Sequence, residues 1–179
     1  MKVWLKPLKE MDACQEAIVW ADDYDSLDEA WSVCERGDWM LWLVGRLSGK
    51  PGSKKRKKLV LVTCVCARLA LPYVKKGETS PLKAIETAEQ WARDENNITL
   101  DIVRNAAYAA AYAAYAAAYA AANAANAAYA AAYAAAYAAN AAANAAKKDT
   151  LKQSADIVRK HYPIAPKLKQ REVRNDKQA

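Results

Sequence analysis

The sequence predicts an all-α helical bundle organised around one long alanine-rich helix. Three observations carry that prediction. Only 5 glycines and 6 prolines occur in 179 residues, and they fall between apolar segments, as they do in helical chains. Capping patterns stand ahead of those segments at Ser26-Leu-Asp-Glu29, Ser80-Pro81 and Thr99. Between Ala106 and Ala146, 30 of 41 residues are alanine, the strongest helix former.

Taken in order, a first helix is expected over about Leu8 to Ala21, where Met11, Cys14, Ala17, Ile18 and Ala21 share one face. Ser26 and Glu29 form a capping box for a second helix that runs to about Arg36 and stops at Gly37. Asp38 then caps a third, Trp39 to about Gly49. Residues 48–58 read as a loop by composition. Leu59 to Leu71 is too long for a typical strand and reads as a helix ending at Pro72. Ser80-Pro81 opens a helix to about Asp94, Thr99 caps the next, and a last helix spans Thr150 to His161. One helical domain covers 1–166, and 167–179 is a charged tail.

The alanine segment has a strict pattern. Its other residues are Tyr108, Tyr112, Tyr115, Tyr119, Asn123, Asn126, Tyr129, Tyr133, Tyr137, Asn140 and Asn144, and Asn105 extends the series. Steps of three and four place all of them within a sector of about 120° on a helix of 3.6 residues per turn. The phase holds throughout, so a single helix over about 100–148 is expected, roughly 70 Å long at 1.5 Å per residue. A face of methyl groups permits close helix approach, whereas a row of tyrosines holds helices apart. The alanine face is therefore expected inward and the Tyr/Asn stripe toward solvent or a partner. A compact body of about 130 residues is only some 35–40 Å across. Either the far end pairs with a second copy, giving a homodimer, or the helix breaks near Asn123–Asn126 and folds back.

The formal charge of +7 is unevenly distributed. Residues 1–49 hold 5 basic and 10 acidic side chains, while 50–100 and 101–179 each hold 11 and 5. An acidic front on a basic body suits a charged protein partner. The run Lys54, Lys55, Arg56, Lys57, Lys58 is the one sequence signal for phosphate or nucleic-acid contact, though no aromatic residue interleaves with it. The start of the chain lacks an apolar h-region, and no apolar run reaches the roughly 20 residues needed to span a bilayer. Four cysteines without disulfide-framework spacing fit reduced thiols, and hence the cytoplasm.

Catalytic and metal signatures are sparse. His161 is the single histidine, and no Ser or Cys nucleophile has a recognisable context. Cys64-Val-Cys66 on a helix points its thiols about 200° apart, and no Cys-x-x-Cys pair exists, so no metal site is expected. No glycine-rich phosphate loop occurs, and no cofactor is expected.

Four segments together resemble one family: Cys34-Glu-Arg-Gly-Asp38-Trp39-Met40-Leu41-Trp42-Leu43, Cys64-Val-Cys66-Ala-Arg68-Leu-Ala-Leu-Pro72, Ala84-Ile-Glu86-Thr-Ala-Glu89-Gln-Trp91-Ala and Ala155-Asp-Ile-Val-Arg159-Lys-His-Tyr-Pro163. It is the widespread helical immunity-protein family of bacterial and phage genomes, and the Asp-Trp-Met-Leu-Trp-Leu block is the most specific part. The resemblance covers roughly Leu8 to Pro166. It implies a non-enzymatic protein, an immunity or antitoxin-type inhibitor that neutralises a toxin by protein–protein contact. The rival expectation is a phage counter-defence protein that blocks a host nuclease or sequesters a nucleotide signal. For a basic, nucleic-acid-cleaving toxin the expected inhibitory surface is the acidic stretch with Asp22, Asp23 and Asp25, and the tyrosines of the alanine segment are a second candidate binding face.

Overall fold

Short helices whose apolar sides converge on one core make up the first half of the chain, and longer ones the second. The computed structural model describes residues 2–50, 52–127 and 129–168, without the side chains of 114–142. Among the described residues the fold is 71% helix in eight α-helices with no strand, about twice the roughly one-third of an ordinary globular protein. The protein is all-α.

The expected first helix is two. After α1 (Lys6–Glu10), Asp12 takes a left-handed φ of 64°, and the Ala13 amide closes back on the Leu8 carbonyl at 3.0 Å. The chain then restarts as α2 (Gln15–Ala21). The capping box opens α3 (Leu27–Val33). Ser26 Oγ accepts the Glu29 amide at 3.1 Å, and the Glu29 carboxylate accepts the Asp25 amide at 2.8 Å.

Gly37 does not stop a helix, nor does Asp38 cap one. Gly37 begins α4 (Gly37–Leu47), buried against α8 so closely that a Cβ there would lie 2.5 Å from Ser154 Cβ. The expected loop over 48–58 is also shorter than its composition suggests. Ser53 Oγ accepts the Arg56 amide at 3.2 Å and starts α5 (Lys54–Arg68), so the basic run is helical. The helix expected over Leu59–Leu71 is present, and Pro72 lies in the short 3-10 turn that follows it.

Next, α6 (Ser80–Ala92) has Pro81 in its first turn, and the Glu78 carboxylate, rather than a Ser80 cap, accepts the Ser80 amide at 2.7 Å. It runs antiparallel to α5, since Lys57 pairs with Asp94 at one end and Cys64 lies against the Ile85 carbonyl further along. Arg68 grips Glu89 across this seam with two parallel bonds of 3.0 and 3.1 Å. The Glu89 side chain is only 13% exposed, and the Arg68 bond holds its carboxyl below the ordinary range near 4.5. The folded value is the lower one, so this contribution is present above that range and is lost as pH falls through the depressed value. Glu89→Gln is expected to cost about 1 kcal/mol at neutral pH, because Arg68 itself is part-exposed. Chemical denaturation should show that deficit shrinking toward zero in acid.

The alanine segment is α7 (Leu100–Ala127), with Thr99 Oγ1 accepting the Ile102 amide at 3.3 Å, followed by α8 (Tyr129–His161). Residue 128 between them lies outside the described residues, so the expected single helix over about 100–148 is described only on either side of it. The short connection 93–99 returns α7 along α6, hence in the direction of α5. In contrast α8 runs against α5, with Cys66 at Ser154 and Lys58 at His161, and alongside α4, with Gly37 at Ser154 and Met40 at Arg159. The chain therefore reverses between the packed parts of α7 and α8. A straight helix from Leu100 to His161 would be about 90 Å long and could not hold both ends on one body of ~36 Å.

Leu5, Met40, Val62 and Val158 are the largest fully buried side chains, drawn from the first turn, α4, α5 and α8. Arg159 reaches under α3, donating to the Cys34 carbonyl at 2.5 Å and the Trp31 carbonyl at 3.4 Å. It ties down the unwound segment between α3 and α4. Among the described residues no helix is long and apolar enough to cross a membrane.

Candidate partner-binding surface

The acidic turn between α2 and α3 is anchored by buried Ala21 and half-buried Leu27, which leaves Asp22, Asp23, Asp25 and Asp28 exposed. The start of the chain is stitched to it. The Lys2 amide donates to Asp22 Oδ1 at 3.3 Å, Lys2 Nζ pairs with Asp25 at 2.8 Å, and Trp4 Nε1 donates to the Tyr24 carbonyl at 3.2 Å. The Lys2 bond holds the Asp25 carboxyl below its usual range. One lysine among four aspartates leaves the turn negative.

Aromatic rings lead into this turn. Trp39 of α4 meets Trp20 of α2 at a centroid distance of 5.7 Å, and Trp20 meets Tyr24 at 4.7 Å, both tilted. Arg36 lies 4.1 Å over Trp39 while pairing with Glu16 and Asp38, each at 2.8 Å. Burial pushes the Asp38 carboxyl up, but the Arg36 bond and charge outweigh it, and the net shift is downward. Beside Trp20 and Trp39 opens a cleft of about 400 Å³ rimmed by Glu16 and Glu35, with Val33 in its wall. Lys152 caps one side of that rim by pairing with Glu35 at 2.8 Å. Half-exposed Trp and Tyr rings with Arg at the centre of a charged rim are the residue types that dominate binding energy at protein interfaces.

The tyrosine stripe lies elsewhere. Tyr108 and Tyr112 are 67% and 76% exposed, and Asn105 and Asn144 also face solvent, while Ala106, Ala110 and Ala113 are half-buried on the opposite side. At its described ends the alanine face is the inner one, as packing geometry predicts. The side chains of Tyr115, Tyr119, Tyr129, Tyr133 and Tyr137 lie outside the described residues, as does the tail 169–179.

The basic run is largely committed to the fold. Arg56 donates to the carbonyls of Gly45 at 2.8 Å and Gly49 at 3.0 Å, binding α4 to α5. Lys57 pairs with Asp94 and lies 5.6 Å from the Trp91 ring centre. Lys58 donates to the His161 carbonyl at 3.1 Å and lies 4.7 Å over Tyr162. Lys54 and Lys55 are exposed. An unstructured phosphate-contacting loop is not what this run forms.

Burial pushes the thiols of Cys34, Cys64 and Cys66 up, Cys64 to about 11, which keeps them protonated and weakly nucleophilic. Among the described residues, the acidic turn, the tyrosine stripe and the basic run sit on different elements and do not form one site. What sequence reasoning missed is the ring row at the acidic turn. Trp20 and Tyr24 stand four residues apart, a spacing that local helical geometry already makes neighbours, but Trp39 joins them only when α4 packs on α2, and no sequence spacing reports that. In comparisons with known proteins, no family model, no curated sequence and no solved structure matches this chain.

Proposed function

We propose that this protein is a non-enzymatic binding protein, an immunity or antitoxin-type inhibitor that neutralises a toxin by direct contact. The observation that carries this reading is the aromatic row from Trp39 through Trp20 to Tyr24, ending in an exposed acidic turn. The rings supply contact area at low entropic cost, and the carboxylates supply attraction to a basic partner such as a nucleic-acid-cleaving toxin. The four-segment resemblance to immunity proteins supports the same reading.

The test is co-expression with the product of each adjacent gene, scored as relief of growth arrest, followed by binding kinetics on the purified pair. Asp22→Lys/Asp23→Lys/Asp25→Lys is expected to slow association about tenfold or more and to remove most of its salt dependence. Circular dichroism should remain that of the parent protein. A folded triple variant that binds at the parental rate moves the contact away from this turn, and the absence of any neutralised toxin removes the inhibitor reading itself.

A further inference from the structure

The opposite sign of charge gathers at a second concavity, away from the acidic turn. Helix α1, the C-terminal half of α4, the first turns of α5 and the segment after α8 line an open cleft of about 980 Å³. That is at the upper end of the roughly 300–1,000 Å³ usual for small-molecule sites. Its walls are apolar: buried Val44 and half-buried Met11 and Leu47 face Ile164, which stands 75% exposed. Its rim is basic. Lys55 and Lys58 project from one wall, three residues apart on α5, and Lys167 from another, against the single carboxylate of Glu10.

These cations are not equivalent. Lys58 is held by the His161 carbonyl and the Tyr162 ring, whereas Lys55 and Lys167 are exposed and have no ion-pair partner among the described residues. Tyr162 also lines the cleft. Its backbone carbonyl is fixed by Trp31 Nε1 at 3.0 Å, and its hydroxyl is shielded from solvent with no hydrogen-bond partner among the described residues.

We infer that this cleft binds an amphiphilic organic anion: an alkyl or aryl body against Met11, Leu47 and Ile164, with a carboxylate held by Lys55 and Lys167. Charge selects against the other occupants. The chain beyond Leu168 carries Lys169, Arg171, Arg174 and Lys177 against Glu172 and Asp176, so it shares the sign of the rim. A basic protein partner is repelled for the same reason. The concave shape of the cleft fits a small molecule better than a flat protein face. This site is independent of the acidic turn, and its test does not involve a toxin.

Isothermal titration calorimetry of the full chain with sodium dodecanoate below its micelle concentration tests the inference, with dodecyltrimethylammonium as the cationic match. Dodecanoate is expected to bind one per chain, at least about tenfold tighter than the cation. Lys55→Gln/Lys167→Gln should weaken dodecanoate at least about tenfold, and Ile164→Asp should weaken it comparably, both with parental circular dichroism. All three positions are exposed, so folding is not at stake. No saturable binding, equal affinity for the two amphiphiles, or indifference to the lysine substitutions would each overturn the assignment. So would concentration-dependent self-association abolished by the same lysine changes, which would assign the cleft to a second copy's acidic turn.

Discussion

Replacing Trp31 with alanine lowers the stability of this protein by about 3–5 kcal/mol, the range for deleting a buried tryptophan. Trp31 is 4% exposed and stands where α3, α4 and the end of α8 converge. Its removal does three things at once. It withdraws a large apolar surface, it deepens a small apolar cleft lined by Leu8, Ile18, Cys34 and Met40, and it strips the Tyr162 carbonyl of its donor. The carbonyl is part-buried, so its loss adds to the cavity cost. For a chain of this size the midpoint of thermal unfolding should fall by about 10 °C or more. Urea denaturation measures it directly: the midpoint shifts down while the slope stays that of the parent. A shift below about 1 kcal/mol would mean that α3 is not integrated into the core as described.

The second large effect is at Gly37. A Cβ built there lies 2.5 Å from Ser154 Cβ, 2.6 Å from the Ala155 amide nitrogen and 2.7 Å from the Ser154 carbonyl carbon. Two of those three atoms are backbone, so α4 and α8 must separate rather than a side chain turn aside. Gly37→Ala forfeits that contact even though alanine is the better helix former by about 1 kcal/mol. Gly37→Val goes further, and overpacking against backbone is expected to cost about 3 kcal/mol or more. Gly52, with nothing within 4 Å of its Cβ position, is the control. Gly52→Ala should leave the thermal midpoint within about 1 °C. If Gly37→Ala were as silent as Gly52→Ala, the close crossing of α4 and α8 would be wrong.

Gly37 also marks the boundary between local and non-local information. Read along the chain, a glycine after an amphipathic helix signals a C-terminal stop, and that was the expectation. Its real role depends on Ser154, more than a hundred residues away, and no local pattern reports that distance. The same holds for the basic run. Five consecutive cations next to Gly and Ser read as a solvated loop, but Ser53 caps a helix there. Partners on α4, α6 and after α8 then absorb Arg56, Lys57 and Lys58. Asp12 shows the opposite scale of failure: one left-handed residue divides the expected first helix, and only its backbone geometry reveals it.

By itself the sequence determined that the protein is all-α, because capping, propensity and periodicity act within one or two helical turns and are written in neighbouring residues. It determined the Ser26–Glu29 box, the helix over Leu59–Arg68, the Thr99 cap, the end of the last helix ahead of Pro163 and the outward face of Tyr108 and Tyr112. The tertiary structure alone decided the reversal of direction between α7 and α8, because a regular Tyr/Asn phase is satisfied equally by one long helix or by two. What breaks the tie is that α6 holds one end of the segment while α4 and α5 hold the other. It alone also brought Trp39 to the acidic turn and Lys55, Tyr162 and Lys167 to one cleft. Such groupings join side chains whose separation in sequence carries no energy, and only the packing of helices against one another selects them.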